Sequence, residues 1–174
     1  GAALEWLKSG LGILQSMQES EWMARHVQDT NGVYFVPAFR GLSAPYWEMQ
    51  TSGMLIGLRE DTGKEHIIRA ALAAMAYQVR DVYEAVVSDA NTEIPELRVD
   101  GGASRNNLLL QLQADVLGIP VSRPQAVETT ALGAAYMAGL ATGIWQSLEE
   151  IKALWQEDAR FEPSITEQQR EDYY

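Results

Sequence analysis

The chain contains no cysteine, so neither a disulfide nor a thiolate metal site can be built from it. Histidine is nearly as scarce. His26 and His66 stand far apart, with no metal-ligand spacing between them. Positive charge is also short: 13 Lys and Arg face 24 Asp and Glu, a formal net charge of -11. That balance argues against non-specific binding to nucleic acid or anionic membranes, while leaving room for a local basic pocket. No apolar run approaches the ~20 residues that span a bilayer. The opening "GAALEWLKSG" has neither the basic start nor the apolar core of a secretory signal. A cytoplasmic location is the expectation.

What is present is enough for one domain: 174 residues, 47% of them hydrophobic. Leu4, Leu7, Leu11 and Leu14 recur at helical spacing and predict a helix over 2–15. A short polar helix is expected over 20–29. "NGVYFVP" reads as a turn and then a strand ended by Pro37. An aromatic loop, "AFRGLSAPYWEMQTS", precedes a strand in "GMLIGL". Ile68, Leu72, Met75, Val79, Val82 and Val86 form the stripe of one long helix over 64–89. "ELRV" is a strand, "SRNNLLLQLQADVLG" a helix closed by Gly118, and "IPVSRP" a brief strand. Thr129 or Thr130 is the expected cap of "TALGAAYMAGLATG". Ser147 opens a short acidic helix, and a polar, weakly docked tail runs on from Phe161. Alternating strands and helices in the second half indicate an α/β fold. About four short strands are few for a self-sufficient α/β domain. The chain is therefore expected to be a fragment whose sheet is completed by upstream residues.

The strand–DGG–helix unit in "RVDGGASRNN" is the best candidate site. Glycines free the backbone and remove the Cβ that would block a ligand. The following helix start offers free N–H groups suited to a phosphate, and Asn106 and Asn107 offer amides one turn into the helix. An ordinary tight turn remains the alternative. The segment is neither a P-loop nor a G-x-G-x-x-G fingerprint. Asp100 is a brace for the turn or a ligand to metal or water. The Ala- and Gly-rich "GAAYMAGLATG" suits tight core packing or a close approach to a nucleotide. Tyr46 and Trp47 form a binding wall or cap the core edge. Glu128 complements a helix N-terminus, while Asp81 and Glu84 belong to a solvated face. No Ser–His–Asp or paired-carboxylate arrangement is found.

"FVPAFRGLSAPYW", "LRVDGGASRNNLLLQLQADVLGIPV" and "ETTALGAAYMAGLATGIW" together resemble the C-terminal domain of the FGGY carbohydrate kinases, in their glycerol kinase branch. The likeness runs in order from "GAALEWL" to "FEPSITEQQREDYY". It implies an actin-like ATPase (ribonuclease H-like) fold, with residues 1–174 forming an incomplete portion of the nucleotide-side domain. It implies ATP and Mg²⁺ as cofactors and transfer of the γ-phosphoryl group to glycerol. The family's nucleotide contacts fall on Gly1, Gly102 and Asn106, with Ala103, Ser104 and Arg105 lying against the nucleotide. Glu5 stands where bacterial members usually carry Gln. Arg40 and Ser52 also depart from the usual pattern. The resemblance puts the catalytic aspartate, the glycerol-binding residues, the phosphate hairpins and the first strands upstream, and a final helix beyond Tyr174. It implies a homo-oligomer for the full enzyme. Other readings are another FGGY sugar kinase, or a non-catalytic nucleotide-binding or interaction module. A blander one is a fragment that exposes apolar surface where its missing half docks.

Overall fold

The computed structural model describes residues 1–174. Helix α1 (Ala2–Ser9) and helix α2 (Glu19–Ala24) lead into the strands β1 (Tyr34–Val36) and β2 (Met54–Ile56). The long helix α3 (Lys64–Ala90) follows, then β3 (Leu97–Arg98), a 3-10 turn (Gly102–Arg105) and α4 (Asn107–Leu117). The chain continues through β4 (Val121–Pro124), α5 (Thr129–Thr142), α6 (Leu148–Ala153), β5 (Glu157–Phe161) and α7 (Glu167–Tyr173). β1 and β2 form an antiparallel pair. The second sheet has the order β3-β4-β5, with β3 parallel to β4 and β5 antiparallel to it. β3, α4 and β4 thus make a parallel strand–helix–strand unit.

Helix α3 organises the core. Ile68, Ala70, Ala71, Leu72 and Ala74 on it are buried in one cluster with Leu4, Leu7, Met23, Phe35, Leu108 and Leu109. The small alanines let α1, α2, β1 and α4 approach α3 closely, and Leu7, Ile68 and Leu72 are fully buried between them. Leu110, Ala114, Leu117 and Val121 form a smaller cluster between α4 and β4. The aromatic loop is irregular, as expected; its Phe39 packs on Trp6, which stacks on Phe35.

Several elements differ from the sequence reading. α1 stops at Ser9, short of Gly10, where a Cβ would meet the Trp6 ring at 2.7 Å, and of Gly12, at φ 67°. Leu14 is still buried, but from coil, while Leu11 is exposed. α2 ends at Ala24, well short of Asp29. α4 begins at Asn107, with Asn106 as its cap rather than a residue one turn in. α5 has Glu128 at its cap position and no side-chain capping bond, so neither threonine caps it. Thr129 instead donates its hydroxyl to Asp100, which braces the glycine turn against α5. α5 is not a tightly packed core helix: only Gly139 on it is buried, against the Trp145 ring.

β5 was not foreseen. Its sequence EDARF alternates only at Ala159 and Phe161, too briefly to read as a strand, and ion pairs help to hold it. Arg123 pairs with Asp158 at 2.7 Å, and Arg160 pairs with Glu96 at 2.6 Å. A hydrogen bond from the Ser122 hydroxyl holds the Glu96 carboxyl below its ordinary range; the nearby Arg98 and Arg160 act in the same direction. The tail is not loosely docked either. Arg80, buried on α3, bonds Glu84 at 2.6 Å and Glu171 on α7 at 2.8 Å, and lies 4.0 Å from the Tyr174 ring centre. Arg80→Ala should cost about 2 kcal/mol, because buried charge-assisted bonds are lost while both carboxylates remain half exposed. Amide exchange should rise across α7 and stay unchanged in α1; equal exchange in α7 would show that Arg80 is not its anchor.

Candidate functional site

A cavity of about 590 Å³ opens beside the DGG segment. The start of α1, the approach to α2 and the 3-10 turn form its walls. Gly1, Leu4, Met17, Gln18, Ser20, Glu21, Gly102, Ala103, Arg105, Asn106 and Glu128 line it. Of the residues singled out from sequence, Gly1, Gly102, Ala103, Arg105 and Asn106 therefore meet around one space. Ser104 and Glu5 do not. Ser104 is buried, and its hydroxyl donates to the Gly101 carbonyl at 2.7 Å, which closes the turn. Glu5 is exposed on the outer side of α1.

The two glycines differ in role. Gly101 has φ 75° and ψ 178°, a conformation open essentially to glycine alone. Its N–H donates to the Val127 carbonyl at 2.8 Å, fixing the turn to the entry of α5. Gly102 has no such backbone demand, and a Cβ added there would meet nothing within 4 Å. Its missing side chain leaves open space beside the cavity.

The start of α4 is not a free phosphate cradle. The Asn107 N–H donates to Glu21 Oε2 at 2.8 Å, and the Leu109 N–H donates to Asn106 Oδ1 at 2.9 Å. Two of the helix's first N–H groups are thereby used, and a carboxylate sits over its positive end. Asn106 also donates from Nδ2 to the Ser20 hydroxyl oxygen at 3.1 Å. The contribution of Met17, Gln18, Ser20 and Glu21 was missed from sequence. Ser20 and Glu21 lie 86 positions from their partners, and only the polar run "QESE" at the start of a helix hinted at a role.

The family model for the FGGY family of carbohydrate kinases, C-terminal domain, matches residues 1–142. The chain belongs to this family. Among curated relatives, the glycerol kinase of Caldanaerobacter subterraneus subsp. tengcongensis is 56% identical over 174 residues. Glycerol kinase 2 of Thermotoga maritima is 55% identical over the same span. The match takes in 100% of this chain but 35% of each of those relatives, so the FGGY kinase region described here spans about a third of their length. Among solved structures, Plasmodium falciparum glycerol kinase with ADP superposes with a TM-score of 0.88 at 32% identity, over 99% of this chain and 34% of that one. The xylulose kinase of Rhodospirillum rubrum gives a TM-score of 0.77 at 26% identity, over 99% of this chain and 35% of that one. The actin-like kinase fold inferred from sequence agrees with both.

The glycine pair gives a direct test. Gly101→Ala should destabilise the protein by about 1–3 kcal/mol through backbone strain. Gly102→Val should leave the melting temperature almost unchanged and abolish ADP binding measured by calorimetry. Normal ADP affinity in Gly102→Val would remove this cavity from nucleotide binding.

Proposed function

We propose that this FGGY kinase region supplies the nucleotide-side wall of a glycerol kinase, whose full chain transfers the γ-phosphoryl group of ATP to glycerol, giving sn-glycerol 3-phosphate. The supporting observation is the gathering of Gly1, Gly102, Ala103, Arg105 and Asn106 around one cavity in a chain 56% identical to glycerol kinases. Phosphoryl transfer depends on positioning and charge stabilisation, with a carboxylate to receive the hydroxyl proton. The groups here hold and orient a nucleotide; the residues that bind glycerol and accept its proton belong to the remaining two-thirds of such an enzyme. No three His, Asp or Glu side chains converge in this chain to cage a cation. Mg²⁺ in kinases is carried largely by the nucleotide phosphates, so the fit of this region to the metal is through ATP alone. A cytoplasmic homo-oligomer is the corresponding expectation for the full enzyme, and no helix is long and apolar enough to cross a membrane.

One surface supports a larger domain. β3 pairs on one side only. Beside it lies an apolar groove of about 530 Å³ lined by Met75, Val79, Val82, Tyr83, Val86 and Leu97, among others. Gln113 also faces this groove; it is 7% exposed, and its Oε1 is buried with no hydrogen-bond donor. A buried orphan acceptor is costly. A further strand along β3, carried by the rest of a full-length FGGY kinase, would cover the groove and bring N–H donors within reach of it. Val82→Asp should then lower the melting temperature of the full-length protein far more than that of residues 1–174 alone. Equal losses would place this face in solvent.

The activity itself is checked by offering glycerol, xylulose and gluconate with ATP to the full-length protein. Turnover of glycerol at a kcat/KM well above the other two is expected. Turnover of a sugar without glycerol would assign the protein to another branch of the family.

A further inference from the structure

We propose that Ser20 is a positioning residue for the nucleotide. It fixes the carboxamide of Asn106 so that the amide's free donor and acceptor favour an adenine base over a guanine. This rests on the nucleotide reading above and adds a base-selecting device to it.

The proton order sets the orientation. The Ser20 hydroxyl donates to the Met17 carbonyl at 2.6 Å, which uses its single proton. Toward Asn106 it can therefore only accept, so the amide must present Nδ2 to it, at 3.1 Å. On the other side the Leu109 N–H requires Oδ1, at 2.9 Å. Both contacts demand the same orientation. A flipped amide would set oxygen against oxygen and N–H against NH₂. A carboxamide has two donor hydrogens and two lone pairs. The network consumes one of each and leaves one of each on a residue that lines the cavity.

One free donor and one free acceptor on the same amide match the N7 and N6 amino group of adenine. Guanine presents O6 and N7 there, two acceptors, so Oδ1 would face a second oxygen. The charge layout places the base, rather than the phosphates, at this wall. Glu21 covers the start of α4 and repels a phosphate, whereas the half-buried Met17 offers apolar surface. Arg105, the lone cation among the lining residues, suits the phosphate end. Ser20 is itself fully buried, so it acts through Asn106.

The test uses the full-length protein, with calorimetry of ADP and GDP and turnover with ATP and GTP. Ser20→Ala should raise the ADP Kd and the KM for ATP about fivefold, as expected for a lost positioning hydrogen bond. The kcat and the KM for glycerol should stay near wild type, and the ratio of GDP to ADP affinity should rise. Asn106→Asp keeps the α4 cap but puts an acceptor where the donor stood, so it should lose ADP binding more than tenfold. A Ser20→Ala protein with lowered stability but an unaltered ADP-to-GDP ratio would make Ser20 a structural tie and overturn the proposal. If Ser20→Ala fails to fold, Asn106→Asp decides alone: unchanged discrimination overturns it. Normal ADP binding in Gly102→Val would instead overturn the nucleotide reading, and this proposal with it.

Discussion

The close approach of α3 to its neighbours is the constraint on which the rest depends. Ala70, Ala71 and Ala74 leave that helix thin enough for α1, α2 and α4 to reach it together. Because α2 and α4 both rest on α3, Ser20 and Asn106 come within hydrogen-bonding distance although 86 positions separate them. The cavity is the gap left between helices that a common core has drawn together. Its shape thus follows from packing volumes before any polar contact is made.

Polar contacts then finish what packing begins. Asp100 receives the Thr129 hydroxyl, and the Gly101 N–H meets Val127, so the glycine turn is held to the entry of α5. Glu21 does two jobs, pairing with Arg25 and accepting the Asn107 N–H. An acid on one short helix therefore caps the start of another. That arrangement gives up a generic anion site in exchange for a defined wall.

Much of the fold was legible in the sequence because periodicity and breakers agree there. The stripe from Ile68 to Val86 specified α3 nearly to the residue, and Gly118, at φ 71°, ends α4 where it was expected to. β5 was illegible for a physical reason. Glu157, Asp158 and Arg160 gain their place from Ser122 and Arg123 on β4 and from Glu96 just before β3, and no local pattern announces such pairs. The candidate site was half legible. Glycines mark where backbone must be bare, so Gly101 and Gly102 stood out. Ser20 and Glu21 matter through tertiary contacts, and the polar run around them does not say which partners they meet. α5 misled because composition rich in Ala and Gly signals closeness to something, without saying whether that something lies within these residues.

The separation between Ser20 and Asn106 also bears on folding. Contacts joined across so much chain carry a large loop-closure cost, which the shared packing of α2 and α4 on α3 offsets. A ligand that needs both sides of such a cleft binds the folded chain and not the unfolded one. Nucleotide affinity would then act as a reporter of global folding, and nucleotide concentration as a lever on it.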